Sequence, residues 1–333
     1  AYVRPGPEHA VLALGLFVVA DVGFEFGMLF YNALLPGVAP PAQLGRVSGF
    51  GWALGYAGGL AALVLALVAL VQPAGGTPWF GISRADDFHV RATCLLAAAW
   101  LAVFAVPLFV TLREERRPEV RFDVRGAFRE LAATTRAVRR YRDAALFLLA
   151  RLLFNDGLIT VFAFGGIYAA GTFGMSLAEV IRFGIAINVA AGLGALLFGF
   201  VDDRIGGKRT VLLSCAALGA ATALAAWAPT RTWFWIAGLL IGVFAGPNQA
   251  ASRSLLARFA PRERENEFFG FFALSGRLTA FAGPALLGIA TQVFGTQRAG
   301  VATVLLFFLA GGILLLRVDE ARGRLAALTP ASR

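Results

Sequence analysis

Cysteine, histidine and lysine are almost missing from this chain, and each shortage removes a class of chemistry. Cys94 and Cys215 stand alone inside apolar runs, so neither a disulfide framework nor a thiolate metal site is encoded. His9 and His89 have no second ligand near them in sequence, which removes a histidine metal centre and leaves no His to pair with a nucleophile. Lys208 is the only lysine and lies in no Gly-rich phosphate loop, so ATP-driven chemistry is not encoded either. Charge itself is scarce: charged residues make up 15% of the chain, against the roughly one quarter that covers a soluble domain. No cofactor and no enzymatic activity are expected. The chain opens Ala-Tyr-Val-Arg, with neither an initiator Met nor a signal-peptide pattern, a start expected of a fragment.

What the chain has instead is oil. Hydrophobic residues reach 58% and the mean hydropathy is +0.72. A hydrocarbon core of about 30 Å is crossed by ~20 apolar residues as a helix. Nine segments meet that length, near 10–36, 48–71, 90–112, 145–173, 178–201, 209–229, 232–257, 267–293 and 298–316. The runs are continuously apolar, as in the 21 charge-free residues Ala92–Leu112, and lack the alternation of a membrane β-strand. The fold class is therefore all-α membrane protein, with the lipid bilayer as its first partner. The formal charge of +10 does not imply nucleic acid, because the basic residues concentrate in short stretches between apolar runs. Ten Arg lie between Arg113 and Arg142, and further clusters are Arg204-Lys208-Arg209, Arg258-Arg262-Arg264 and Arg317-Arg322-Arg324. Intervening loops such as 174–178 are poor in cations. By the positive-inside rule the rich loops and the C-terminus are expected in the cytoplasm, with the chain multi-pass in the cell membrane.

An internal repeat organises the spans. At an offset of 221 residues, Asn32-Ala-Leu-Leu and the following Ala39-Pro40 align without gaps on Arg253-Ser-Leu-Leu and Ala260-Pro261. The register continues through Gly49-Phe50 onto Gly270-Phe271 and Gly55 onto Gly276. The matched pair is fourth and fifth among six spans after the Arg-rich stretch, but first and second among three before it. Equal halves then imply three helices upstream of residue 1. Parallel six-helix halves are a transporter architecture. The expected organisation is residues 1–112 as the remainder of an N-terminal bundle, 113–144 as a cytoplasmic linker, 145–317 as a C-terminal bundle and 318–333 as a cytoplasmic tail.

Between the second and third spans of the complete half stands Gly199-Phe-Val-Asp-Asp203-Arg204-Ile-Gly206-Gly207-Lys208-Arg209. This resembles the signature loop of the major facilitator superfamily, with Gly207 replacing a usual basic residue. Gly199 suits close helix approach, Asp203 suits an Arg or a helix N-terminus, and Arg204, Lys208 and Arg209 suit the inner face. Arg253 is the expected partner of Asp203. A closer resemblance is to the vacuolar amino-acid effluxer-like branch, carried by Phe30-Tyr-Asn-Ala-Leu-Leu-Pro36, Gly45-Arg-Val-Ser-Gly-Phe-Gly-Trp-Ala-Leu-Gly-Tyr56, Phe154-Asn-Asp-Gly157 and Gly246-Pro-Asn-Gln-Ala-Ala-Ser-Arg253. The resemblance implies two six-helix bundles, about nine of whose helices are present. It also implies gradient-linked or proton-linked export of a small solute by alternating access, with amino acids the best-known cargo, by a protein expected to act as a monomer. A non-transporting receptor or scaffold descended from a transporter is the second reading.

Polar groups in lipid need a reason, since an ionisable side chain at the bilayer centre costs about 2.5–3.5 kcal/mol. Asp21 and Glu25 share a face of the first span and suit proton coupling, or pairing with an Arg of another helix. Arg151, Asn155 and Asp156 are expected near the cytoplasmic end of the fourth span, as an interfacial anchor or a gate. Asn188 is expected to bond between helices. Asn248 and Gln249 follow Gly246-Pro247, whose missing N–H is expected to free carbonyls toward a cavity. Arg277 suits an anionic substrate group, and Asn32 completes the candidate transport path. Gly51, Gly55 and Gly59, at four-residue spacing, are expected to mark a tight crossing.

Overall fold

The computed structural model describes residues 7–73, 75–112 and 141–329. Most of the expected linker lies outside the described residues. Where description resumes, Arg142 already begins a helix. The described residues are helical, without a strand. In order they form α1 (Ala10–Ala33, continued by a turn at Leu35–Val38), α2 (Leu44–Ala66, ending in a wide turn at Leu67–Val71), α3 (Thr93–Thr111), α4 (Arg142–Phe173), α5 (Leu177–Ile205), α6 (Gly207–Trp227), α7 (Arg231–Phe259), α8 (Glu265–Arg277), α9 (Ala282–Phe294), α10 (Gln297–Leu316) and α11 (Glu320–Leu328). Among the described residues nine segments are long and apolar enough to cross a bilayer, with α8 and α9 together making one of them.

The chain divides into two compact units, Ala1–Glu25 with Ala57–Phe128, and Phe26–Tyr56 with Arg129–Arg333. In the first, Ala69, Leu70 and Ala92 form a small buried cluster with Leu65, Ile82 and Leu96 packed on it. No residue of α3 is buried, and Phe109 stands 79% exposed. Apolar surface on that scale belongs in lipid or against other helices.

The second unit holds six spans, α4 to α10. α7 packs along α5 and α6, while α10 packs along α4 and α6. Lipid is as apolar as a leucine side chain, so close contact between backbones has to supply the attraction that water supplies elsewhere. Gly238, Gly242 and Gly246 put a smooth stripe of α7 against α5. A methyl group at Gly246 would lie 2.0 Å from the Ala191 carbonyl oxygen, and one at Gly194 would lie 2.0 Å from the Val243 carbonyl oxygen. Val243 is the residue whose carbonyl Pro247 leaves without its usual helical donor. The expected break at Gly246-Pro247 therefore does not occur: α7 runs through it, and the freed carbonyl meets Gly194 of α5 instead of a cavity. Of the stripe Gly51-Gly55-Gly59 the first is crowded, where a methyl would lie 2.6 Å from the Tyr31 hydroxyl, while among the described residues nothing lies within 4 Å of one at Gly55 or Gly59. The close approach is one turn earlier, where Gly45 and Gly49 meet Gly199 and Ala195.

The repeat is also visible in the backbone. Short 3₁₀ turns at Pro41–Gln43 and Arg262–Arg264 precede helices starting at Leu44 and Glu265, so turns and helix starts keep the 221-residue register. Asn32 and Arg253, paired by that offset in the sequence, touch through a hydrogen bond of 3.4 Å from Arg253 Nη1 to Asn32 Oδ1. Symmetry-related positions meet only near their pseudo-two-fold axis.

α11 is a docked helix, not a free tail. Asp143 accepts two bonds from Arg322, at 2.6 and 2.7 Å, and one from the Asp319 backbone. Glu320 accepts from the Lys208 backbone N–H, and Gly323 lies against the Phe259 ring. The Asp143 carboxylate holds the Arg322 guanidinium above its ordinary pKa.

Candidate functional site

Two consecutive carboxylates close one end of the second unit, and the helix geometry sends them to different partners. Successive side chains on a helix point about 100° apart. Asp202 faces α7, where Arg258 Nη1 lies 2.7 Å from Oδ1 and the Ser254 hydroxyl donates to Oδ2. The two side chains of this ion pair are 2% and 6% exposed. A pair so well removed from water keeps its charges only because each answers the other. Asp203 faces the start of α2. It accepts from the Gly45 N–H at 2.8 Å, the Arg46 N–H at 3.3 Å and Arg46 Nε at 2.7 Å. A carboxylate on the first N–H groups of a helix meets the positive end of its dipole. Arg258 Nη2 stands 3.8 Å from Asp203 and ties the two carboxylates into one network. Gly45 and Gly199 permit this approach, since a methyl on Gly45 would fall 2.7 Å from Asp202.

Arg253 is thus not the partner of Asp203. One turn further into the bundle it is 4% exposed, bonds Asn32 and lies with its guanidinium 4.7 Å from the centre of the Tyr31 ring. Above it Tyr56 donates to Gln249 Oε1 at 2.7 Å, and Ser48 donates to the Ala250 carbonyl. Arg253 with Asn32, and Gln249 with Tyr56 one turn on, therefore form two successive polar layers between α1–α2 and α7. Of the signature loop, Arg204 and Arg209 are exposed. Lys208 Nζ reaches the Leu316 carbonyl, and Gly206 adopts φ +92° to turn the chain from α5 into α6. Asp202, Arg46, Arg258 and Ser254 escaped the sequence reading. The Asp202-Asp203 doublet was their only visible signal.

A second site lies where the eighth span breaks. α8 stops at Arg277 and α9 starts at Ala282, although the sequence reads as one span. α4 holds both loose ends. Arg151 Nη1 donates to the Phe272 carbonyl at 2.7 Å and to Ser275 Oγ at 2.8 Å, and its guanidinium lies 3.6 Å from the Phe272 ring centre. Asn155 donates to the Gly276 carbonyl at 3.0 Å. Asp156 accepts from the Gly283 N–H at 3.2 and 3.3 Å, and Gly283 has no room for a methyl, which would sit 2.0 Å from Thr160 Oγ1. A cation and an amide donor meet the carbonyl end of α8, and a carboxylate meets the N–H end of α9. That is the arrangement the helix dipoles favour. Asp156 was expected near an interface. With α4 starting at Arg142 it lies about 21 Å along the helix, close to its middle, and is 2% exposed.

The remaining candidates are scattered. Asn188 bonds Gly184 within its own helix and, among the described residues, makes no bond between helices. It lines a cavity of about 230 Å³ between α4–α7, α9 and α10, with Thr160, Tyr168, Phe183, Thr222 and Phe234 among its walls. Asn248 donates to Ser214 and Cys215 of α6, so it packs helices instead of facing a path. Arg277 is exposed at the end of α8, while Asp21 is exposed and Glu25 half-buried in the first unit. Among the described residues no cluster could hold a metal ion.

Comparison with known proteins points the same way. The family described as "Vacuole effluxer Atg22 like" matches residues 2–328. An uncharacterized MFS-type transporter, YxiO of Bacillus subtilis (strain 168), is 27% identical over 317 residues, covering 94% of this chain and 72% of the relative. Autophagy-related protein 22 of Cryptococcus neoformans var. neoformans serotype D (strain B-3501A) is 25% identical over 311 residues, covering 86% of this chain and 55% of the relative. The chain thus spans about half the length of such fungal relatives. Among solved structures, the E. coli fucose:proton symporter FucP aligns with a TM-score of 0.66 at 14% identity, over 87% of this chain and 72% of that one. A bacterial homologue of the iron transporter ferroportin, in an outward-facing state, aligns at 0.63 with 16% identity over 90% and 70%. At such identities these likenesses show the fold.

Proposed function

The chain belongs to the vacuole effluxer Atg22-like family of major facilitator transporters, and on that premise we propose that it exports a small solute by alternating access, driven by an ion or proton gradient. Amino acids and related metabolites are the first cargo to test. The observation that carries this reading is the closure at Asp202 and Asp203. It joins α5 and α7 to the N-terminus of α2 through charge and helix-end contacts, which can be broken and remade without unfolding either partner. The cation-rich loops support a cytoplasmic position for that closure, and on this reading the state described is shut on the inside. Its layers fit a gate: an ion-pair network at the rim, Arg253 on Asn32 and Tyr31 one turn deeper, and Tyr56 on Gln249 above. Residues 1–112 are then the N-terminal side of the carrier and 145–317 the C-terminal bundle, in a cell membrane with α11 docked on the inner face. Small movements of packed helices amplify such contacts into two discrete states. The test is uptake of a labelled amino-acid mixture by the full-length protein in proteoliposomes under an imposed proton gradient. The proposal expects accumulation that a protonophore abolishes. Uptake indifferent to every gradient overturns the coupling, and no uptake of any amino acid overturns the cargo class.

A further inference from the structure

We propose that Asp156 is the residue that carries the coupling proton, and that protonating it unclasps the break in the eighth span. This rests on the transport reading above but is testable without any substrate. The first support is placement. Asp156 is a carboxylate near the middle of a membrane-spanning helix, 2% exposed, at the N-terminus of a thirteen-residue half-helix. Its carboxylate is held by the Gly283 N–H, at 3.2 and 3.3 Å. Among the described residues it has no cationic partner.

The charged groups on the surrounding elements are all engaged or placed elsewhere. α9 carries no ionisable residue, and the one cation of α10, Arg298, donates to the Ala226 carbonyl. On α8, Glu265 and Glu267 lie in the first turn, and Arg277 is exposed. On α4 itself Arg151 is committed to Phe272 and Ser275, and Asp143 to Arg322. α5 and α7 hold their charges at their ends, Glu179, Arg182 and Arg231 at one and Asp202, Asp203, Arg204, Arg253 and Arg258 at the other. Glu320, Arg322 and Arg324 belong to the docked α11. None of these forms an ion pair with Asp156. An apolar setting favours the neutral acid and the positive end of α9 favours the carboxylate, so the two influences oppose each other at this group.

The second support is access. The Thr160 hydroxyl, one turn beyond Asp156, donates to the Asp156 carbonyl and lines the 230 Å³ cavity. Thr222 lines the same cavity, is fully buried, and its hydroxyl has no partner among the described residues. The Asn188 side chain lines the same cavity, so three polar side chains face a space with room for water. A proton reaching Asp156 from that side converts carboxylate to carboxylic acid and removes the charge that holds Gly283. Loss of the same proton toward the other side restores the clasp. One O–H bond forms and breaks per cycle, and nothing else is exchanged.

The experiment is hydrogen–deuterium exchange of the full-length protein in lipid nanodiscs, following the peptide that contains Gly283 across pH and correcting for intrinsic exchange. Protection should fall roughly tenfold or more as pH is lowered through the titration of Asp156. In Asp156→Asn, which carries no titratable group but keeps an acceptor for Gly283, the dependence should vanish. Asp156→Glu should restore it, and Glu179→Gln, at the far end of α5, should leave it unchanged. PH-independent protection in the unmodified protein overturns the proposal without reference to any variant. So does a pH dependence that survives in Asp156→Asn. If the clasp titrates while no solute is ever carried, the transport reading fails and the coupling role falls with it, whereas a clasp that does not titrate overturns this proposal and leaves the transport reading untouched.

Discussion

Replacing Asp203 with Asn tests the closure at the bond that holds α2. The substitution keeps size and one acceptor but removes the negative charge from the helix start at Gly45 and Arg46, and from Arg46 Nε. A charge at a helix terminus contributes about 0.3–2 kcal/mol depending on burial. The Arg46 side chain is 37% exposed, so its ion pair adds only a screened ~0.2–1 kcal/mol. The closed state therefore loses on the order of 1–2 kcal/mol, a factor of roughly 5–30 in the balance between closed and open forms. Spin labels at Gln43 and Arg209, both exposed, report it as a distance distribution in a cysteine-free full-length background. The unmodified protein should show one dominant short distance, and Asp203→Asn should move population into a longer one. Identical distributions would refute the assignment of Asp203 as a latch.

The other expectations are more structural. Asp202→Asn strands Arg258 in a dry site and should cost about 3–5 kcal/mol, whereas the double change Asp202→Leu with Arg258→Met should recover much of it, as read from thermal unfolding. Gly246→Ala drives a methyl into the Ala191 carbonyl and should lower the apparent Tm by roughly 3–10 °C, while Gly55→Ala, with open space around it, should be neutral. Asp143→Asn should undock α11 and expose Arg324 to trypsin. Because Asp143 raises the Arg322 pKa above its ordinary value, the contribution of Arg322 is complete below that ordinary value and is lost only as pH rises through the raised one. Docking in the unmodified protein should therefore not change through Arg322 between about pH 6 and 9, by the same proteolysis assay.

The sequence made the spans legible because lipid leaves an unbroken apolar run no option but a helix. The offset of 221 residues was legible too, and Asn32 touching Arg253 is its physical consequence. Partners were not legible. Asp203 and Arg253 each had the right character, but helical spacing gives the face a residue occupies and not the helix standing opposite. Asp202 takes α7, its neighbour takes α2, and Arg253 finds an amide and an aromatic ring. The two backbone interruptions were misread for a related reason. Pro247 looked like a break but is absorbed by Gly194, whereas the stretch 278–281 breaks just ahead of Gly283-Pro284, where Pro284 has no N–H for the Ala280 carbonyl and three side chains of α4 satisfy the open ends. Tertiary partners decided both.

The most direct measurement of whether this fold carries a solute is uptake from a uniformly ¹³C-labelled cell extract by proteoliposomes containing the full-length protein, read by mass spectrometry. At least one small solute should equilibrate across the bilayer faster than in protein-free vesicles, and its exchange should slow when positions 46 and 203, the contact between α2 and α5, are cross-linked shut through introduced cysteines. An extract in which no solute moves faster than in empty vesicles, from either side and under any imposed gradient, would contradict it.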